Sequence, residues 1–177
     1  VPQGENIPSF GSLSCNEEYY PVRTRAKFTS SDELLNKIYK TAEYTLELTS
    51  REFFLDGLKR DRWVWAGDTL QSEWMSLYSF FDCALIRNTL VALLGKDKFE
   101  QHINGIMDYS FYVIWGVWEY YRYTGDKDFL LKMLPACDAV IDHFSKFARE
   151  DGMLCDVYDK WNLVDWPDNL RDEYDFP

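Results

Sequence analysis

"DGLKRDRWVWAGD", Asp56 to Asp68, sets Asp56, Asp61 and Asp68 among Lys59, Arg60, Arg62, Trp63 and Trp65, with Gly57 and Gly67 near its ends. That density of charge and indole does not fit a helix interior, where one face is apolar and the other solvated. The flanks, by contrast, read as helix. Upstream, Ser30-x-x-Glu33 has the form of a capping box, and Leu35, Ile38, Tyr39, Ala42 and Leu46 follow at steps that share one helical face. Downstream, Asp68-x-x-Gln71 has the look of a second cap, and Leu70, Trp74, Leu77, Tyr78 and Phe81 form a second apolar stripe. The quoted stretch is therefore a connection between two helices, and the fold class follows from its surroundings.

The same pattern continues along the chain. Leu85, Ile86, Leu90, Leu93 and Leu94 predict a third helix stopped by Gly95, a residue suited to a left-handed C-terminal position. "SFYVIWGVWEYYRYTGD" predicts a fourth, ending at Gly125, and Phe129, Leu130, Met133, Cys137, Val140, Ile141, Phe144 and Phe147 a fifth reaching Gly152, kinked or restarted at Pro135. Residues 1–29 read as loop with at most one short strand in "PVRTRAKF", and the acid-rich tail after Gly152 shows no clear period. Short connections between amphipathic helices favour antiparallel hairpins. No fixed-period motif links the hairpins, and the tail carries no terminating signal, so the expectation is an all-α piece of a larger helical domain.

Composition narrows the function. The 177 residues are 46% apolar and 18% aromatic, ample for a packed core. A net charge of −11 repels phosphate backbones and anionic lipid headgroups, so nucleic acid and membrane are not expected as partners. No apolar run approaches the roughly 20 residues of a spanning helix, and the start lacks the basic and apolar regions of a secretory signal, so the chain reads as soluble and its compartment as open. Cys15, Cys83, Cys137 and Cys155 are widely spaced, which suggests buried free thiols. His102 and His143 stand far apart in sequence, and no H-E-x-x-H, Cys/His cluster, phosphate loop or G-x-S-x-G is present. Neither a metal nor a cofactor is expected. The acids of the tail, Asp165, Asp168, Asp172 and Asp175, are not spaced as a calcium loop.

Carboxylates among aromatics are what remains, and that is the equipment of glycoside hydrolysis: an acid for the leaving oxygen, a second carboxylate, acceptors for hydroxyls and flat rings for the sugar's apolar faces. If residues 61–65 are extended, Asp61, Trp63 and Trp65 share a face. Arg60 and Arg62 favour the Asp61 anion, whereas burial against tryptophan and the charges of Asp56 and Asp68 favour its acid form. Pairing the arginines with Asp56 and Asp68 would leave Asp61 desolvated. The competing reading is a salt-bridged surface loop. For Trp74, Trp115 and Trp118, which fall in helical stretches, core packing is the simplest role.

The stretch resembles the signature of inverting bacterial α-L-rhamnosidases of the six-hairpin type, roughly D-C-P-x-R-E-R-x-x-W-x-G-D. Asp56, Arg60, Arg62, Trp65, Gly67 and Asp68 match in residue and spacing. The helix "SSDELLNKIYKTAEYTLELTS", the later "YYRYTGDKDFL" and "VDW" at Val164–Trp166 are similar to the family too, so the likeness spans most of residues 28–166. It implies an (α/α)6 toroid of which residues 30–177 are the N-terminal half, removal of terminal α-L-rhamnose from a glycan or glycoside without a cofactor, Asp61 as general acid, and Asp56 and Asp68 on sugar hydroxyls. It further implies Trp65 lining the pocket, Arg60 as a supporting cation, and Asp165 and Trp166 in the pocket.

This chain has Asp61 where the family usually has Glu, and Gly57-Leu58 where it usually has Cys-Pro. The family's base is a glutamate in the later half of the toroid, which needs roughly 300 to 400 residues in all. The acid half of the site, inactive by itself, is therefore expected here. The alternatives are another six-hairpin glycosidase with a different sugar, or a non-catalytic helical module binding glycan or protein.

Overall fold

The computed structural model describes residues 11–95, 99 and 101–154. Among these, α1 (Glu33–Thr49), α2 (Ala66–Tyr78), α3 (Cys83–Leu94), α4 (Met107–Thr124) and α5 (Lys127–Ser145) are α-helices, with a 3₁₀ turn at Ile103–Gly105. No strand forms among the described residues; Ser50–Phe54 and Ala148–Leu154 are isolated antiparallel bridges. The all-α expectation holds, and residues 11–32 carry neither helix nor strand.

Helix boundaries follow the available hydrogen-bond acceptors. Asp32, not Ser30, caps α1: its Oδ1 accepts from Leu34 N–H at 2.8 Å, while the Ser30 hydroxyl accepts from Asp32 N–H. Nor is Asp68 a cap. Helix α2 starts earlier, at Ala66, with Trp65 in the cap position, and Asp68 falls inside the first turn. Asp82 caps α3 as its spacing allows, accepting from Ala84 and Leu85 N–H at 3.0 Å each. Helix α5 runs unbroken through Pro135 and ends at Ser145 rather than Gly152, because the chain then folds back into the Ala148–Leu154 bridge.

The family-like "YTGD" turns out to be a hairpin device. Gly125 takes the left-handed conformation (φ 68°, ψ 13°) that ends α4. Asp126 then caps α5 through Phe129 N–H (3.0 Å) and accepts from the Tyr120 hydroxyl (3.0 Å) and Arg87 (3.3 Å). The Phe129 N–H bond, reinforced by those two donors, holds the Asp126 carboxyl below the ordinary range for aspartate.

Helices α2 and α4 cross at the centre. Leu77 of α2, Val113, Val117 and Tyr120 of α4, Leu85, Ile86 and Leu90 of α3, and Phe129, Met133 and Cys137 of α5 close one core. Burial raises the Cys137 thiol to about 11, so it stays a thiol, whereas Cys15 is exposed and Cys83 half-buried, contrary to the expectation of uniformly buried thiols. Cys155 lies outside the described residues. Helix α1 buries only Leu46 of its predicted stripe. Leu35 and Ile38 remain 47% and 54% exposed, and Ile38 helps line a groove of about 650 Å³ between α1 and α2.

Gly116 sets the α2–α4 distance. A Cβ there would stand 2.7 Å from Glu73 Oε2 and 2.8 Å from Leu90 Cδ2. Gly116→Ala should therefore cost about 1–3 kcal/mol, the usual range for overpacking. An unchanged urea midpoint would show instead that the crossing has room to spare.

Candidate active site

The loop from α1 to α2 is anchored before the signature begins. Phe54 is fully buried and donates its N–H to the Thr89 hydroxyl of α3 at 3.0 Å, while Leu55 N–H returns to the Thr49 carbonyl at 2.9 Å. Asp56 therefore emerges from a fixed point. It clasps Trp63 twice: its N–H donates to the Trp63 carbonyl at 3.0 Å, and its Oδ1 accepts from Trp63 N–H at 2.9 Å. Residues 57–62 bulge between those bonds. Arg62 adopts φ 49°, a left-handed turn that ends the extended run assumed for residues 61–65. Asp61, Trp63 and Trp65 thus do not share a strand face, and Trp63 stands 62% exposed.

The arginines are not arranged as the sequence suggested. Arg60 forks back onto Asp61 (Nε to Oδ1 3.1 Å, Nη2 to Oδ2 3.4 Å), so it is Asp61, not Asp56 or Asp68, that carries its guanidinium. The Asp61 side chain is 34% accessible and that of Arg60 85%. An ion pair so open to water is weak. It orients the Asp61 carboxylate without locking it.

The loop's exit is held from a distance. The Asn104 carboxamide donates to the Val64 carbonyl (3.0 Å) and accepts from Ala66 N–H (2.9 Å), satisfying the first helical N–H that no cap side chain serves. Asn104 is itself left-handed (φ 55°, ψ 15°). Next, Tyr109 from the first turn of α4 lies against Gly67. A Cβ at residue 67 would be 2.8 Å from its Cζ and 2.9 Å from its hydroxyl oxygen. Tyr109 also meets Trp65 edge to face, with centroids 6.3 Å apart. The glycine of the signature is required by this contact.

Asp56 and Asp61 both act on Asp68. Burial first, then the charges of Asp56 and Asp61, raise the Asp68 carboxyl against an opposing backbone hydrogen bond. Burial together with the charges of Asp68 and Asp108 pushes the Tyr109 hydroxyl up to about 12, so it stays a donor throughout the physiological range. Asp68 stands where two concavities meet. One is the α1–α2 groove, which Asp56 also lines; the other is a cleft of about 400 Å³ lined by Gly67, Asp68, Gln71, Trp74, Tyr109, Tyr112 and Trp115. Trp115 and Trp118 are 47% and 51% exposed within this chain, and Trp74 abuts Trp115 edge to face at 5.2 Å.

Of the sequence-predicted residues, Asp56, Arg60, Asp61, Trp65 and Asp68 gather around one loop, while Asp165 and Trp166 lie outside the described residues. Asn104 and Tyr109 were not anticipated as site residues, and Gln71 only as the partner of a cap. Only the Asn104-Gly105 dipeptide, a turn signal, hinted at any of them. His102 and His143, distant in sequence, come together with ring centroids 5.9 Å apart inside a cage that includes Phe99 and Phe144. Among the described residues no group of three or more potential metal ligands occurs.

This arrangement meets the comparison with known families. Residues 23–176 match the family described as the bacterial alpha-L-rhamnosidase 6 hairpin glycosidase domain. The chain belongs to that family. As a six-hairpin glycosidase domain it also resembles two solved structures. One is the GH78 family rhamnosidase of Bacillus sp. GL1, with 25% identity and a TM-score of 0.72, covering 86% of this chain and 17% of that one. The other is a rhamnosidase from Klebsiella oxytoca with rhamnose bound, at 23% identity and a TM-score of 0.69, covering 81% of this chain and 31% of that one; at that identity the likeness speaks for the fold. The rhamnosidase-family chain thus spans less than a third of the length of either. Comparison with curated proteins returns no match.

Proposed function

We propose that residues 30–177 form the acid-bearing half of an (α/α)6 α-L-rhamnosidase domain, which removes terminal α-L-rhamnose from a glycan or glycoside with inversion. The observation that carries this reading is the family signature folded so that Asp56 and Asp61 both act on Asp68, which lines an aromatic cleft. Asp61, whose side chain is partly open to solvent and oriented by Arg60, protonates the glycosidic oxygen. Asp56, fixed by its bonds to Trp63, and Asp68, fixed in the first turn of α2, accept sugar hydroxyls. Trp65 packs the pocket wall against Tyr109, and Arg60 orients the acid. Asp165 and Trp166 complete the pocket in this proposal.

Inversion needs a second carboxylate roughly 6.5 to 9.5 Å from the acid, with room for a water between. That base belongs to the later half of the toroid. No step requires a cofactor, since protonating the leaving oxygen and deprotonating water balance each other. The test is proton NMR of the first sugar released by the full-length enzyme from an aryl α-L-rhamnoside. The β-anomer should appear before mutarotation equilibrates it. An initial α-anomer rules out inversion, and release from other aryl glycosides but not the rhamnoside reassigns the sugar.

A further inference from the structure

We propose that Asn104 is a positioning residue for the reaction: its carboxamide holds the peptide groups on both sides of Trp65, and through them fixes Trp65 and the first turn of α2 that carries Asp68. The inference rests on the rhamnosidase reading of the loop and gives a part in it to a residue outside the signature. The clamp has two bonds. Asn104 Nδ2 donates to the Val64 carbonyl at 3.0 Å and Oδ1 accepts from Ala66 N–H at 2.9 Å, across 40 and 38 residues of chain. Trp65 occupies the cap position of α2 and makes no side-chain cap bond, so Asn104 does from a distance what an N-cap serine or aspartate does locally. Ala66 is 1% exposed, so this bond is made away from solvent, and further chain packed against this half of the domain can only cover it more.

The side that does the holding is stiff. Ile106 N–H closes on the Ile103 carbonyl at 3.1 Å around Asn104 (φ 55°) and Gly105 (φ 77°), and two successive positive φ values are what an Asn-Gly turn accommodates. Ile103 and Ile106, the shoulders of that turn, are both buried, and Ile103 N–H donates to the Ser110 hydroxyl of α4 at 3.0 Å. Shortly after the turn, Tyr109 lies against Gly67. The 104–109 segment therefore grips the 64–67 segment twice, once by hydrogen bonds and once by packing. Glycine would meet the backbone demand at residue 104 with less strain, so the left-handed turn alone does not require asparagine. The carboxamide is what asparagine adds.

The experiment uses the full-length enzyme and the variant Asn104→Gly, which deletes the clamp while easing the left-handed turn. Amide exchange over residues 66–70 should become several-fold faster. Well below the melting temperature, kcat/KM on a rhamnoside should fall about ten- to a hundred-fold, the scale of a displaced reacting geometry. The loss should be shared between a raised KM and a lowered kcat. It should also be the same for alkyl and acidic aryl leaving groups, because the clamp serves the hydroxyl-binding Asp68 and not the acid Asp61. Asn104→Asp retains the acceptor for Ala66 N–H and loses only the donor to Val64, so its kcat/KM should fall between those of wild type and Asn104→Gly.

Unchanged exchange over residues 66–70 in Asn104→Gly overturns the positioning role, and amide exchange reads the clamp whatever the substrate. A lowered melting temperature with wild-type kcat and KM on a rhamnoside reduces Asn104 to a structural residue and leaves the rhamnosidase reading standing. A loss confined to alkyl rhamnosides shows the clamp acting on Asp61 and overturns the proposal as well. Cleavage of another aryl glycoside but not the rhamnoside removes the sugar assignment alone: a ten- to hundred-fold loss on that substrate in Asn104→Gly then supports the clamp, and no loss overturns it.

Discussion

Asp61→Asn in the full-length enzyme is expected to lower kcat on an alkyl rhamnoside by about 10²- to 10⁴-fold, the usual worth of a positioned general acid. The same variant should lose far less on an aryl rhamnoside with an acidic phenol. The contrast is the diagnostic part. A leaving oxygen that departs as a stable anion has little need of a proton, so deleting the donor costs in proportion to the basicity of the leaving group. Asparagine keeps the length and can still bond to Arg60, so the loop geometry set by the Asp56–Trp63 clasp and the Asn104 clamp should survive. Asp61→Glu, which restores the residue usual in the family, adds one methylene to a side chain already open to solvent and should retain partial activity. Equal slowing of alkyl and aryl substrates by Asp61→Asn would disqualify Asp61 and turn attention to Asp56 and Asp68.

The parts of this site that the sequence made legible are those whose causes are local. Arg60 and Asp61 are neighbours and pair as neighbours, although the pairing is not the one that charge balance suggested. Gly95 and Gly125 end helices where their conformational preferences place them. What stayed hidden depends on residues far along the chain. The Asp68-x-x-Gln71 pattern resembles a cap, but α2 starts earlier, at Ala66, whose N–H needs an acceptor. The acceptor is the Asn104 carboxamide, which reaches Ala66 N–H from the loop before α4, and no local pattern reveals it. The same holds for Gly67, whose requirement comes from the Tyr109 ring. Periodicity likewise places Trp115 on a helix face but says nothing of whether a neighbour covers it. Within this chain no neighbour covers that face fully, and Trp115 stays 47% exposed.

Raising the pH from about 4.5 through neutrality should destabilise the wild-type protein more than Glu73→Gln, because Glu73 holds its proton more tightly in the folded state than in the unfolded one and glutamine has none to lose. Glu73 sits at the α2–α4 crossing, 2% exposed, with Oε2 over Gly116 and Oε1 lacking a hydrogen-bond partner among the described residues. Burial, then the charge of Glu119 across the crossing, raises its carboxyl well above 4.5. Glu119 is no compensating cation, and its own carboxylate is engaged by Trp115 and Arg122.

Above about pH 4.5 the unfolded chain releases the Glu73 proton while the folded chain keeps it, so folding binds a proton and weakens as pH rises, until the raised folded value is passed and the loss is complete. Glutamine reproduces the shape of the neutral acid and cannot ionise, which removes that slope. Asp68 is raised too and contributes in the same direction, so the difference between wild type and variant, not the wild-type curve alone, isolates Glu73. Asp126 works the other way, its lowered carboxyl giving up stability as pH falls through its folded value, and it contributes equally in both proteins. Denaturation midpoints of wild type and Glu73→Gln that run parallel from pH 4 to 9 would show that the crossing accommodates the carboxylate as readily as the acid.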